Sequence, residues 1–183
     1  MKKSQVIIIS IVVVILLILG WGISQNNSLV NLSESINQNQ SEIDNQLKRR
    51  ADLIPNLVNT VKGSTAAETK IIEDISNARA QMTSGTTDQK LAASDTLTKN
   101  INILVENYPD IKFSQAYTSL MDELSGTENR IAVARKNYND VVATYNKKVR
   151  SFPINLVAKM LGYDQKSYLQ VNESEKATSQ VQF

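Results

Sequence analysis

Apolar residues follow two different patterns along this chain. Near the N-terminus they form one block from Val6 to Ile23, 18 residues interrupted only by Ser10, Gly20 and Gly22. A block of this length is close to the minimum for a helix that crosses a bilayer. Farther along, apolar positions recur every three or four residues, which is the spacing of amphipathic helices. The pattern predicts a membrane-spanning helix followed by a helical body.

The apolar block has a second interpretation, a cleaved secretory signal, because Gly22 and Ser24 place small residues at the two cleavage-site positions. Signal-peptide cores, however, are about 7 to 15 residues long, which is shorter than this block. Trp21 lies where an interfacial anchor is expected. We therefore favour a retained transmembrane anchor at residues 6–23.

The flanking charges predict the orientation of this anchor. Lys2 and Lys3 precede the block, and no Lys or Arg follows it until Lys48. The positive-inside rule therefore predicts a cytoplasmic N-terminus, residues 1–5, and a body outside the cytoplasm. Two lysines are a small bias, so the opposite topology stays open as an alternative.

The first amphipathic helix can continue directly from the anchor, since nothing between Ser24 and Ser28 requires a break. Pro55 removes one backbone donor and frees the carbonyl of Ala51, which predicts a kink. Gly63 is the expected C-terminal stop. The apolar stripe is close to a heptad and consists of Leu29, Leu32, Ile36, Ile43, Leu47, Ile54, Leu57, Val58 and Val61.

Two shorter helices follow. Thr65 and Glu68 have capping-box spacing at the start of the second helix, and Asp88 is the expected cap of the third, which Pro109 ends. The second stripe consists of Ile71, Ile72, Ile75, Ala78 and Met82. The third consists of Leu91, Leu97, Ile101, Leu104, Val105 and Tyr108.

The fourth stripe is the most regular in the chain and predicts a helix of roughly 40 residues, about 60 Å long, capped by Asp110. Its members are Phe113, Tyr117, Leu120, Leu124, Thr127, Ile131, Ala134, Tyr138, Val141 and Tyr145. Pro153 ends this helix. The sequence then predicts a short amphipathic helix over residues 154–161 that stops at Gly162, and a polar, mobile tail over residues 165–183.

These elements predict an all-α protein: an N-terminal transmembrane helix, then an elongated antiparallel bundle of four helices, two long and two shorter, plus a short C-terminal helix. The bundle occupies residues 24–164. The shorter helices can cover only the half of the long helices that is farthest from the membrane, which leaves a two-helix stalk. A patch of apolar residues then either packs on the stalk or rests at the bilayer interface: Phe152, Leu156, Val157, Met160 and Leu161.

Composition supports this fold and excludes several function classes. Only 6 Gly and 3 Pro occur among 183 residues, too few for a many-turned β-sandwich. The 20 Lys and Arg are interleaved with 18 Asp and Glu, so no basic field exists to bind nucleic acid. Histidine and cysteine are absent, which removes the commonest general base, thiol catalysis and most transition-metal sites. We predict a non-enzyme without cofactor or metal.

Four segments resemble the bacterial LemA family. They are QLKRRADLIPNLVNTVKG, ENYPDIKF, TENRIAVARKNYNDVVATYN and FPINLVAKMLGY, and they occur in the family's order after a single span. The resemblance implies an extended antiparallel helical bundle on a single-pass membrane protein, with no established catalytic activity or cofactor. It also implies that members of the family are often encoded beside membrane metalloproteases or other small envelope proteins. One branch of the family serves magnetosome membrane formation. The chain departs from the pattern at Ser64, where an aromatic residue is common.

Three consecutive cations could bind lipid headgroups or nucleic acid: Lys48, Arg49 and Arg50. We favour a solvated helix face in which one of the three side chains is buried. Arg50 fills a gap in the apolar stripe, and a buried guanidinium requires a carboxylate partner. Counting back from the distal turn places Arg50 level with about residue 123. We predict that Arg50 or Arg49 pairs with Asp122, Glu123 or Glu128 and that this pair fixes the register of the two long helices.

Tyr138-Asn139 and Tyr145-Asn146 repeat at seven residues, so both tyrosines share one helix face. We favour core tyrosines over a ligand site. The acids Asp52, Glu68, Asp122, Glu123 and Glu128 lack the histidines that bundle metal sites use. A hard cation bound by carboxylates alone stays open as an alternative, although no spacing supports it. The complete set of structural or interaction candidates is Arg49, Arg50, Asp52, Pro55, Asn56, Glu123, Glu128, Arg130, Arg135, Tyr138, Asn139, Tyr145 and Asn146.

These features predict a membrane-anchored envelope protein that acts as a scaffold or adaptor, with the lipid bilayer, other membrane proteins or its own copies as partners. The alternative is a regulatory or sensory subunit of a membrane protease or envelope stress system, in which the Pro55 kink makes the bundle bistable.

Overall fold

A computed structural model describes residues 3–64 and 69–170 of this protein, and all regular structure in these ranges is helical. The elements are α1 Lys3–Ser64, α2 Thr69–Met82, α3 Thr87–Asn107, a 3-10 turn Pro109–Phe113, α4 Gln115–Arg150 and α5 Ile154–Met160. The all-α prediction is confirmed for the described residues. The predicted capping box at Thr65 and Glu68 lies outside them.

Helix α1 contains both predicted patterns in one element of 62 residues. It is the one described helix that is long and apolar enough to cross a membrane. The apolar side chains of its N-terminal part, such as Ile8 and Leu17, are exposed, as a lipid-facing helix requires. The helix continues through Pro55 and ends one residue after Gly63, the predicted stop.

The contacts divide the described chain into two units. Unit 1 comprises residues 3–38 and 139–168, and unit 2 comprises residues 39–64, 69–138 and 169–170. Each unit therefore contains part of α1 and part of α4. Unit 2 also contains α2, α3 and the 3-10 turn, whereas α5 belongs to unit 1.

In unit 2, α1 and α3 run parallel. Gln40 Nε2 donates to Thr87 Oγ1 at 3.1 Å, and Lys90 Nζ donates to Asp44 Oδ1 at 2.9 Å, so later residues of α1 contact later residues of α3. Apolar side chains fill the interior of this unit because the stripes of all four helices are buried in it. The fully buried members include Ile43, Leu47, Ile54, Leu57, Ile75, Met82, Leu97, Leu104 and Leu124.

The start of α3 differs from the prediction. Thr86, not Asp88, is the N-cap: its hydroxyl accepts from the backbone N–H of Gln89 at 3.3 Å, and its own N–H donates to Gln89 Oε1 at 2.8 Å. This reciprocal pair satisfies two backbone donors, which one carboxylate at Asp88 does not do. Gly85, with φ of 92°, makes the turn that leads into the cap.

Helix α4 begins later than predicted. Asp110 does not cap it, because residues Pro109–Phe113 form the 3-10 turn and Ser114 Oγ accepts from the N–H of Tyr117 at 3.5 Å. Phe113, assigned to the buried stripe, is 88% exposed in that turn. The resulting helix has 36 residues rather than roughly 40.

The stripe of α4 also changes phase near its C-terminal end. Val142 is fully buried, whereas the predicted Val141 is only half-buried. A helix with 3.6 residues per turn drifts by about 20° per heptad relative to a strict seven-residue repeat. Buried positions therefore move forward by one residue, and Val149 continues the shifted stripe after Tyr145.

Candidate functional site

A buried guanidinium network lies inside unit 2. Arg50 is 3% exposed, and it donates through Nη1 to Ser94 Oγ at 2.7 Å. Through Nη2 it donates to Thr98 Oγ1 at 2.7 Å and to Glu128 Oε2 at 3.2 Å. One side chain of α1 is thereby joined to both α3 and α4.

The charge of Arg50 is stabilised against the cost of its burial. Desolvation by burial lowers the pKa of Arg50 below its ordinary value, and the carboxylates of Glu128 and Asp95 oppose that shift. Glu128 is 45% exposed, so water screens part of the attraction between the two charges. The buried Nε atom of Arg50 has no hydrogen-bond partner within the described residues.

Of the three acids predicted as partners of Arg50, the structure brings Glu128 to it. Asp122 and Glu123 are exposed on α4, and Arg49 is exposed on α1. The hydroxyl partners Ser94 and Thr98 were not predicted. Their signal was present as two small polar residues four positions apart in a helix whose other buried positions are mostly apolar.

The carbonyl freed by Pro55 has a specific partner. Arg79 Nε of α2 donates to the backbone oxygen of Ala51 at 3.1 Å, so the hydrogen bond that proline removes from α1 is replaced by one from another helix. The free carbonyl of Ala51 was predictable from Pro55 in the sequence, whereas its partner Arg79 was not. Pro55 itself and the neighbouring Asn56 are exposed.

The two tyrosines of the seven-residue repeat are buried, Tyr138 in unit 2 and Tyr145 in unit 1. Burial raises the pKa of Tyr138, and the negative charge of Asp88 adds to that shift. Burial likewise raises the pKa of Tyr145, with additions from Tyr163 and Asp164. Their burial fits core packing better than an open ligand site.

Two buried polar residues of α4 hold the segment that follows α5. In unit 1, Asn146 Nδ2 donates to the carbonyl of Lys166 at 2.8 Å, and the N–H of Lys166 donates to Asn146 Oδ1 at 2.8 Å. In unit 2, Arg135 Nη2 donates to the carbonyl of Gln170 at 2.5 Å. Lys166 and Gln170 of the predicted tail are thus bonded to α4 through their backbones, whereas residues 171–183 lie outside the described range. The mobility of the tail stays a prediction.

An open groove lies between α1 and α4 in unit 2, with a volume of about 310 Å³. Its lining mixes charges of both signs, amides and one exposed valine: Glu42, Gln46, Asn129, Arg130, Val133, Ala134 and Asn137. Gln46 Nε2 donates to Glu42 Oε1 at 2.8 Å, whereas the buried Oε1 of Gln46 has no partner within the described residues. The groove therefore presents charges of both signs beside an exposed apolar side chain.

The remaining candidates do not form one site. Asp52 is exposed on α1, and Asn139 is half-buried on α4. No group of three or more Asp, Glu, His or Cys within the described residues has the spacing to hold a metal ion.

Comparison with known proteins gives a consistent set of relatives. A family model described as "LemA family" matches residues 39–183. "Protein LemA" of Metamycoplasma hominis is 24% identical over 84% of this chain and 73% of its own length. "Magnetosome protein MamQ 2" of Paramagnetospirillum magneticum is 26% identical over 79% of this chain, and the match spans 64% of that relative. "Magnetosome protein MamQ" of Magnetospirillum gryphiswaldense is 23% identical over 78% of this chain and 63% of its own length.

Proposed function

We propose an adaptor function for this chain, which belongs to the LemA family. In this proposal the protein is anchored in the membrane and binds other membrane proteins without catalysing a reaction. The apolar part of α1 and the family support a membrane-associated protein. The names of its relatives mention no enzymatic activity. The adaptor role goes beyond these observations and rests on the groove of unit 2.

The single observation that supports the adaptor role is the lining of this groove. Arg130 and Glu42 offer charges of both signs, and Val133 offers an apolar contact with 59% of its surface exposed. An amphipathic helix or loop of a second membrane protein has the polar and apolar side chains to contact both.

Photo-crosslinking in cells tests this proposal. A photoreactive residue at Val133 samples the groove, and one at Asp122, exposed elsewhere on α4, is the matched control. We expect the probe at residue 133 to capture a recurrent membrane protein that the probe at residue 122 does not capture. Arg130→Glu should reduce the capture at residue 133, because it reverses one charge of the groove.

Two results would count against an adaptor. Equal capture from both probes would mean that the groove is not the binding surface. Capture of this chain alone would make the protein a self-assembling structural element, and the adaptor proposal would then be wrong.

A further inference from the structure

Helix α5 leaves an apolar surface uncovered in unit 1. Phe152, Leu156 and Met160, spaced four residues apart, are 80%, 57% and 86% exposed. Side chains four apart share one side of a helix, so Leu156 and Met160 form one exposed face, and Phe152 precedes it. Large apolar side chains exposed together mark an interaction surface.

This surface is continuous with the apolar segment of α1. A groove of about 430 Å³ is lined by Leu19, Trp21 and Ile23 of α1 together with Val157 and Met160 from α5. Asn26 is its polar exception. The walls are otherwise apolar, and one of them belongs to the helix that is long and apolar enough to cross a membrane.

Hydrogen bonds hold α5 at this level of α1. Tyr163 Oη donates to Asn26 Oδ1 at 2.9 Å, and Lys166 is bonded through both backbone groups to Asn146 of α4. Gly162, with φ of 74°, makes the turn between α5 and these contacts. The position of α5 is therefore determined by contacts on both helices of the unit.

The depth of α5 follows from the length of the apolar block. Eighteen residues from Val6 to Ile23 span about 27 Å, slightly less than the roughly 30 Å of a hydrocarbon core. The bilayer boundary therefore lies near Ile23. The groove extends back to Ile18, about 7.5 Å inside that boundary, which is within the roughly 5–10 Å depth of helices that lie in a membrane interface.

We propose that α5 is a second membrane contact, in which its exposed apolar face enters the same leaflet and a phospholipid acyl chain fills the groove beside Trp21. Lys159 of α5 and Arg150 at the end of α4 are both exposed. Long cationic side chains at this depth reach the headgroups while their stems stay among apolar groups. The preferred surface is therefore one with anionic phospholipids.

Spin-label accessibility in the full-length protein tests this contact. The chain contains no cysteine, so Met160→Cys and Ala143→Cys each create one labelling site, and Ala143 is an exposed control on α4. The labelled protein is reconstituted in vesicles of phosphatidylcholine and phosphatidylglycerol. We expect the label at residue 160 to collide more with oxygen than with a water-soluble nickel chelate, and the label at residue 143 to show the reverse.

A second variant distinguishes loss of membrane contact by α5 from loss of its helical structure. Phe152→Ser with Leu156→Ser removes apolar surface that is already exposed, so the helical content measured by circular dichroism should stay unchanged while the label at residue 160 shifts toward the nickel chelate. The proposal is overturned if the labels at residues 160 and 143 behave alike. It is also overturned if the label at residue 160 is shielded from both reagents, because protein would then cover α5.

Discussion

Arg50 is a cation that the fold removes from water and surrounds with oxygen acceptors of unequal exposure. Ser94 and Thr98 are neutral and close, at 2.7 Å each, whereas the half-exposed Glu128 lies at 3.2 Å. Hydrogen bonds to a charged group are stronger than bonds between neutral groups. The hydroxyls therefore hold the guanidinium in place, and the carboxylate supplies the opposite charge.

The first prediction concerns the ion pair of Arg50 and Glu128. Arg50→Met should lower the free energy of unfolding by about 1–3 kcal/mol, because two hydroxyl acceptors lose their donor. Glu128→Gln should lower it by about 1 kcal/mol, since solvent screens the lost charge. We expect the double variant to be less destabilised than the sum, with a coupling of at least about 0.5 kcal/mol. Denaturant unfolding followed by circular dichroism in detergent micelles measures all three.

The matched control is Arg49→Met, which removes the adjacent exposed cation and should change the free energy of unfolding by less than about 0.5 kcal/mol. Strict additivity of the Arg50 and Glu128 effects would show that the pair does not help to fix the register of α1 against α4.

The second prediction concerns Tyr145, whose pKa burial raises above the ordinary value of 10.0. At a pH between the pKa of Tyr145 in the unfolded state and its raised pKa in the folded state, the folded protein keeps a phenol proton that the unfolded chain has lost. This contribution to stability is complete below the unfolded pKa and disappears as the pH rises through the folded pKa. Stability should therefore fall above about pH 10, and Tyr145→Phe should make that fall less steep.

The burial of a residue was easier to predict from the sequence than the identity of its hydrogen-bond and ion-pair partners. The gap in the stripe identified Arg50 as a buried cation, and counting along an ideal antiparallel pair placed its partner near residue 123. The observed partner, Glu128, lies five residues farther along α4. The count assumes the geometry of the distal turns, and their lengths decide which acid comes level with Arg50. Whether Ser94 and Thr98 of α3 come level with Arg50 depends in addition on the lengths of the two segments that join α1 to α2 and α2 to α3.

Among the elements, α1 is unusual because it continues through a proline with its freed carbonyl bonded by another helix. Ala51 lies at the core of unit 2 with no exposed surface. Its carbonyl oxygen would be a poor site for water, and Arg79 of α2 supplies the donor. Pro55 and Arg79 therefore act as one feature.

The third prediction follows from that coupling. Arg79→Met should destabilise the protein by about 1 kcal/mol, the typical contribution of one hydrogen bond. In a Pro55→Ala background the restored N–H of residue 55 can bond Ala51, so the same substitution should have little effect. Denaturant unfolding of the four variants measures the difference. An equal cost of Arg79→Met in both backgrounds would show that the Arg79 hydrogen bond does not compensate for Pro55.

The helical class of the described segments followed from periodicity, whereas the helix starts did not. The N-terminus of α3 depends on a reciprocal bond between Thr86 and Gln89, and a carboxylate at Asp88 looks equally suitable in the sequence. Phe113 illustrates the same limit. Its spacing fits the stripe of α4, but Pro109 starts a 3-10 turn that moves Phe113 out of helical phase.

For the whole molecule, the orientation of the anchor decides which compartment contains the body. The residues that carry the orientation signal are Lys2 and Lys3, which precede the apolar block. Their bias favours an extracytoplasmic body, and the adaptor proposed above would then meet its partners on that side of the membrane.

The fourth prediction tests this orientation by thiol labelling, which the absence of native cysteine makes selective. Lys112→Cys places a thiol on an exposed position of the body, and Gln5→Cys places one before the apolar block. We expect a membrane-impermeant maleimide to label residue 112 on intact cells and residue 5 only after permeabilisation. Labelling of residue 5 alone on intact cells would establish the opposite topology.

The parallel pairing of α1 and α3 also has a mechanical consequence. Gln40 with Thr87, Asp44 with Lys90, and Arg50 with Ser94 are offset by 47, 46 and 44 residues, so the three contacts form one nearly constant register. A pull along the axis of α1 therefore loads them in shear, all together, instead of opening them one after another. A displacement of one helical turn, about 5.4 Å, breaks all three. Unit 2 should thus stay rigid under a tensile force from the membrane until these contacts rupture in a single step.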